Sequence, residues 1–253
     1  MINATAFSHA GATQPFVLIL GMHRSGTSCL AGALERCGLH LGDVRRTGTH
    51  NKKGYFESRE LVALHDEILA ANNAAWDRPP ASAYIAPAQQ LKLARFATVL
   101  AAHRPCGIKD PRILLILDDW LNIAPQPVLC IGTYRHPLAV AASLHRRNGM
   151  PVERGLALWE DYNRRLVEQH RSMPFPIVTY DLKQPSRYRE AIKDVAGDLG
   201  LRSSAWKLWR FVSRNLDHQQ PAADAAMPES CARVYRYLCQ HSLNPPESEF
   251  AKC

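Results

Sequence analysis

Apolar residues follow two patterns along this chain. Four short runs are continuously apolar or nearly so: Phe16 to Leu20, Cys106 to Ile108, Val128 to Thr133 and Pro176 to Tyr180. Each has the length of a strand covered on both faces. Between them, longer segments repeat their apolar positions with a helical period: Ser28 to Arg36, Ser58 to Ala71, Ala88 to Ala102, Ile113 to Ile123 and Leu138 to Arg147. Gly38, Pro111, Pro125, Pro137 and Pro151 punctuate the borders. Strands alternating with helices predict βαβ units, so the expected class is α/β, a three-layer fold with a central, mainly parallel sheet flanked by helices. In such sheets ligands bind beyond the carboxyl ends of the strands. Residues 21–28, 109–112, 134–137 and 181–183 are therefore the ones to examine for chemistry.

With 253 residues, 46% of them apolar, the chain can bury a large core. We expect one domain over residues 16–253 behind a mobile tail of residues 1–15. No internal repeat is visible. Trp206, Trp209 and Phe211 form a helical stripe expected to pack into the core. The seven cysteines are odd in number and lack CxxC pairing, which predicts reduced, buried thiols. The first fifteen residues have neither a basic nor an apolar leader region, and no stretch approaches the roughly 18 apolar residues that span a bilayer. No membrane span and a cytoplasmic location are the expectations. The 31 basic and 23 acidic residues give a net charge of +8, which favours a polyanionic ligand but is equally served by a solvated surface. Arg45-Arg46 and Arg146-Arg147 are the basic pairs, and no recognised nucleic-acid motif accompanies them.

The first strand runs into Gly21-Met-His-Arg-Ser-Gly-Thr-Ser28 and then a helix. Gly21 and Gly26 have the spacing of the P-loop GxxxxGK[ST], whose backbone N–H groups and helix N-terminus wrap a phosphate. The lysine is replaced by Thr27. A cation is supplied inside the loop by Arg24, whose guanidinium can bridge anionic oxygens bidentately. Ser25, Gly26, Thr27 and Ser28 complete the candidate loop with backbone and hydroxyl donors.

The third strand repeats the design. Arg135 stands at its end, Pro137 opens the next helix, and Ser143 lies about two turns in. A loop for a 5′ group and a separate Arg/Ser pair describe a ligand with anions at both ends of a nucleoside.

On these residues the chain resembles the sulfotransferases that use 3′-phosphoadenosine-5′-phosphosulfate (PAPS). The run Arg24-Ser-Gly-Thr-Ser28 is similar to the family's 5′ loop, and Arg135-x-Pro137 followed by Ser143 to its 3′-phosphate site. Thr179-Tyr-Asp-Leu-Lys183 resembles a strand-end stretch whose aromatic residue lies near the adenine, which implicates Tyr180. The family's later glycine-rich 3′-phosphate loop has no clear counterpart, although Arg210 and Arg214 are placed to compensate. The resemblance spans about residues 16 to 183.

What it implies is transfer of a sulfuryl group from PAPS, as co-substrate, to a hydroxyl or amine, foremost of a carbohydrate, with a peptide tyrosine or a small alcohol or phenol behind it. Arg24 would hold charge on the departing phosphate. Glu57 lies where the tyrosylprotein-like branch keeps an acidic base, with helix capping as its alternative role and His23 as the second candidate base. Lys109, in a Lys-Asp-Pro run similar to that branch, would face the sulfuryl group, with Asp110 holding it in place. The chemistry requires no metal. Residues 39–56 and 72–87 are the expected acceptor walls. A P-loop nucleoside or small-molecule kinase and a non-catalytic nucleotide-binding adaptor are the alternative readings; the missing lysine weighs against the kinase.

Overall fold

In the computed structural model the strands are β1 (Phe16–Leu20), β2 (Cys106–Lys109), β3 (Val128–Tyr134) and β4 (Ile177–Thr179), and they form one parallel sheet in the order β2-β1-β3-β4. The structure describes residues 14–48, 54–180, 183–202, 204–212 and 226–246. The expected tail up to residue 13, the Asn51-Lys52-Lys53 run, Asp181, Leu182, Arg214 and Cys253 lie outside the described residues. The helices are α1 (Thr27–Arg36), α2 (Arg59–Ala71), α3 (Pro87–Ala101), α4 (Leu117–Ile123), α5 (Pro137–Asn148), α6 (Val152–Ser172), α7 (Pro185–Asp198), α8 (Ala205–Phe211) and α9 (Glu229–Gln240).

Alternation along β1 explains the layers, because successive side chains of a strand point to opposite faces. Val17 and Ile19 pack with α1, α7 and α8, whereas Phe16, Leu18 and Leu20 pack with α2 to α6 and α9. All five are 0% exposed, so β1 reads as a continuous apolar run although it serves two separate cores. The α/β class with a parallel sheet between helices is the one read from the sequence.

Two expectations change. The segment from Ile113 to Ile123 is not one helix: Pro111–Leu115 is a 3₁₀ turn, and Ile116, at φ −140° and ψ 34°, separates it from α4. The Trp stripe is not core. Leu208, Phe211 and Val212 are buried, whereas Trp206 and Trp209 are 61% and 63% exposed. Residues 208, 211 and 212 share one helical face, and docking that face turns 206 and 209 outward. α6, the longest helix, is not among the segments named above from their period; its buried face carries Trp159, Tyr162 and Leu166.

The strand order creates a switch point. From β1 the chain passes to β2 on one side, and from β3 to β4 on the other, so a crevice opens beyond the ends of β1 and β3. Register brings the strand ends level, with Ile19 beside Lys109, Leu20 beside Gly132 and Tyr134 beside Thr179. The β4 end is further secured by Asn244, which donates from Nδ2 to the Thr179 carbonyl at 2.9 Å and accepts from its N–H at 2.8 Å. Tyr134 Oη and Ser242 Oγ each lie 2.7 Å from Thr179 Oγ1.

The β2 end is held by a buried polar web. Asp110 accepts from His65 Nδ1 at 2.9 Å, and from the backbone N–H and guanidinium of Arg112 at 3.0 Å each. Trp120 Nε1 donates to His65 Nε2 at 3.0 Å, which fixes the tautomer with the proton on Nδ1. Arg112 reaches on to Asp66 at 2.7 Å. Sequence analysis has Asp110 holding Lys109; the structure corrects this, since its carboxylate binds His65 and Arg112 instead. The reason is geometric: consecutive residues at an extended strand end point to opposite faces.

Burial alone would raise the Asp110 pKa, but the His65 hydrogen bond, the Arg112 charge and the Arg112 N–H outweigh it and hold the carboxyl well below the usual range. A depressed folded value means that its stabilisation is present above the unfolded pKa of about 3.9 and is lost as pH falls through the folded value. We predict that Asp110→Asn lowers unfolding free energy by about 3 kcal/mol at neutral pH, because Arg112 loses a buried partner. In urea titrations the gap to wild type should stay level from about pH 7 to 5 and narrow below about pH 4. A gap unchanged in acid would mean that Asp110 contributes packing rather than charge.

Candidate active site

The loop after β1 turns sharply at two glycines. Gly21, at φ 151°, lies so close to β3 that a Cβ would stand 2.5 Å from the Thr133 carbonyl oxygen. Gly26, at φ 88°, is the N-cap of α1, and a Cβ there would run into the Tyr180 ring. The start of α1 has no side-chain cap, which leaves its first N–H groups directed toward the loop. Ser25 is 0% exposed, and its Oγ has no hydrogen-bond partner among the described residues. A buried unpaired hydroxyl in a ring of N–H donors suits an anionic ligand.

Arg24 sits between the glycines with left-handed backbone, φ 67°. Its Nε donates to Ser143 Oγ at 2.7 Å, across 119 residues. Burial first, and then the charges of Arg147 and Arg135, hold the Arg24 pKa below its usual value, with Tyr180 and Tyr55 acting in the opposite direction. Positive charge is thus gathered around one loop. Arg135 is 7% exposed, its guanidinium carbon is 5.4 Å from the Tyr180 ring centroid, and its backbone carbonyl accepts from Trp159 Nε1 at 3.0 Å. Arg24, Arg135 and Ser143, read from the sequence as parts of two anion sites, and Tyr180, implicated beside the adenine, lie close together: Arg24 meets Ser143 and Arg135 meets Tyr180.

Ser28 and Thr27 are placed differently from Ser25. Ser28 Oγ donates to the Tyr55 carbonyl at 2.9 Å and so ties α1 to the segment that carries Glu57. Thr27 is 4% exposed, with its methyl group against Gly21. Arg45 braces the same segment: its N–H donates to the Glu57 carbonyl at 3.0 Å, and its own carbonyl accepts from Tyr55 and Phe56 at 2.9 Å. Phe56, which is 2% exposed, has φ 55° and packs edge-on against Phe211. Among the described residues three non-glycines have left-handed backbone, and two of them, Arg24 and Phe56, flank the site. Strain held in place by packing is characteristic of functional loops.

Glu57 Oε1 lies 2.5 Å from Lys109 Nζ, and the lysine side chain is 2% exposed. The cap of α2 is Ser58, not Glu57. His23 lies deeper, its ring 4.6 Å from Trp76 and 6.2 Å from Tyr162, with Nε2 buried. Burial first, then the Arg112 charge, and more weakly Lys109 and Arg147, push its pKa well below the usual value, with Asp110 acting in the opposite direction. An imidazole so depressed is a poor proton acceptor at neutral pH.

Sequence reasoning reached Trp76 and Arg112 only within the ranges 72–87 and 109–112, and missed Trp159 as part of the site's framework and Arg147 as a charge acting on Arg24. Arg147 does carry a signal, since it stands four residues after Ser143 on the same face of α5. Arg46 of the other basic pair is neutralised by Glu35 at 2.7 Å. None of the six described cysteines is in a disulfide, and burial pushes the Cys130 thiol up to about 12. Among the described residues no helix is long and apolar enough to cross a membrane, and no group of three or more His, Cys, Asp or Glu is placed to hold a metal ion.

No family model and no curated protein matches the chain. Among solved structures it is similar to the sulfotransferase domain of the olefin synthase of Synechococcus PCC 7002, at 20% identity and a TM-score of 0.57, over 88% of this chain and 93% of that one. Sulfotransferase STF1 of Mycobacterium tuberculosis H37Rv also matches, at 17% identity and a TM-score of 0.45, over 90% of this chain and 77% of that one. With its parallel sheet, the glycine loop after β1 and the site at the switch point, the chain has the fold of a sulfotransferase domain.

Proposed function

We propose that the chain is a sulfotransferase that moves a sulfuryl group from PAPS to a hydroxyl or amine acceptor, foremost a carbohydrate hydroxyl. The observation that carries this reading is the 2.7 Å contact between Arg24 and Ser143, which joins the loop after β1 to the helix after β3 in one cationic crevice. A nucleotide with anions at its 5′ and 3′ ends matches that crevice. The orphaned Ser25 hydroxyl and the uncapped start of α1 suit its 5′ end. Arg135 and Ser143 suit its 3′ phosphate, and the Tyr180 ring lies beside Arg135 for the base.

The donor supplies an activated sulfuryl group; the residues supply position, charge and a proton acceptor. The acceptor oxygen forms its bond to sulfur as the bond from sulfur to the bridging oxygen breaks. The acceptor proton passes to the Glu57 carboxylate, and the charge left on the nucleotide phosphate falls beside Arg24. Lys109, 2.5 Å from Glu57, would supply a cation for the charge that gathers on the sulfuryl oxygens. The web around Asp110 fixes the end of β2 and with it the Lys109 backbone.

Isothermal titration with adenosine 3′,5′-bisphosphate, and with ATP plus Mg²⁺ as the contrast, tests the nucleotide. Micromolar binding of the bisphosphate, weakened at least about tenfold by Arg24→Ala and by Arg135→Ala, is expected for charge-assisted contacts. Binding of ATP alone would turn the reading toward a kinase. Glu57→Gln should lower turnover about 10²- to 10⁴-fold with bisphosphate affinity nearly unchanged. Full activity in that variant would remove Glu57 from the role of base.

A further inference from the structure

Arg147 differs from several other cations near the crevice. Lys109 is paired with Glu57, Arg112 with Asp66 and Asp110, Arg154 with Asp77, and Arg165 with Asp161. Arg147 has no carboxylate partner among the described residues. Its guanidinium carbon lies 5.9 Å from the Trp76 ring centroid, and Trp76 in turn packs at a tilt, 4.6 Å from His23 of the loop. It stands one helical turn beyond Ser143, which holds Arg24, and its charge bears on both Arg24 and His23. Unlike the buried Arg135, it is exposed, at the rim of the crevice.

The Trp76 segment is itself built in from the far side of the crevice. Tyr162 Oη donates to the Trp76 carbonyl at 2.8 Å, and Arg165 donates to the Pro80 carbonyl at 2.5 Å. A fixed indole with an exposed, unneutralised guanidinium beside it forms a wall that recognises charge. Within the crevice Arg24, Ser143 and Arg135 already serve the donor's anions. His23 ties the loop to Trp76, whereas the Tyr180 ring lies against Gly26 and beside Arg135, so Trp76 and Arg147 stand at the His23 end of the loop, away from the ring proposed for the base.

We propose that Arg147 and Trp76 form an acceptor subsite that binds an anionic group, so that the acceptor is a carboxylated or otherwise acidic molecule rather than a neutral one. This rests on the sulfotransferase reading for the word acceptor, while the anion subsite itself is a binding property. The guanidinium pairs with the acid and leaves a hydroxyl of the same molecule to reach Glu57. An exposed arginine without a counter-charge, beside a second guanidinium that it repels, gains most from an anion at this point.

The test compares two probes that differ in one group, para-nitrophenyl β-D-glucuronide and para-nitrophenyl β-D-glucoside, by titration calorimetry on the full chain, with and without saturating adenosine 3′,5′-bisphosphate. The glucuronide is expected to bind at least about tenfold more tightly, the scale of one charge-assisted contact. Arg147→Ala should erase that preference, Arg147→Lys should restore part of it, and Arg146→Ala, on the neighbouring exposed arginine, should leave it intact. Bisphosphate affinity should be unchanged in Arg147→Ala. Equal behaviour of the two probes, whether both bind or neither does, overturns the proposal. So does a loss of bisphosphate affinity in Arg147→Ala comparable to that in Arg24→Ala, which would make Arg147 a donor ligand. Failure of the bisphosphate to bind wild type counts against the sulfotransferase reading, while the glucuronide preference of the nucleotide-free protein still decides the subsite.

Discussion

Like charges gathered at one point repel, and the carboxyl edge of this sheet is organised around that fact. Arg24, Arg135 and Arg147 approach one another around a loop, and the hydrogen bond from Arg24 to Ser143 is neutral on the accepting side. The fold holds these guanidinium groups in place by covalent and hydrogen-bonded means. Arg24 is fixed by left-handed backbone between two glycines, Arg135 by the end of β3 and the Trp159 hydrogen bond, and Arg147 by α5. Such preorganisation presents Arg24 and Arg135 to the donor proposed here, and Arg147 to the acceptor, without rearrangement on binding.

A few ångströms away the arrangement is the reverse. Lys109 and Arg112 are buried with carboxylates within hydrogen-bond reach, and Asp110 is surrounded by donors. Burying a charge costs several kcal/mol unless it is paired, so these groups form a framework. Lys109 and Glu57 belong to both regions: they satisfy each other in this structure and stand where the proposed chemistry needs a cation and a proton acceptor. The left-handed Phe56, pinned by Phe211 and by the Arg45 hydrogen bonds, directs Glu57 at Lys109 instead of at the start of α2.

The last two fifths of the chain, from α6 onward, contribute to the site through structure. Asn244 and Ser242 lie along the edge strand β4, satisfying the Thr179 backbone that would otherwise be an open edge, and they hold the residue before Tyr180. α6 supplies Trp159 beneath Arg135 and Tyr162 beneath Trp76. Sulfotransferase chemistry as proposed here therefore draws positioning groups from well beyond the motifs.

By itself the sequence determined the α/β class, the four strands to within a residue or so at each end, and the loop from Gly21 to Ser28, because these depend on local period, on continuous apolar runs and on glycines at fixed spacing. It also singled out Arg24, Arg135, Ser143, Glu57 and Lys109 one by one. What it did not contain was their pairing. That Arg24 meets Ser143, that Lys109 turns to Glu57 while Asp110 turns to His65, that Trp206 and Trp209 face outward and that Arg147 comes to Trp76 all follow from strand order, register and the docked face of each helix. Those are long-range choices, made by burying apolar surface between segments as far apart as Phe56 and Phe211, and no local pattern encodes which side chains they bring together.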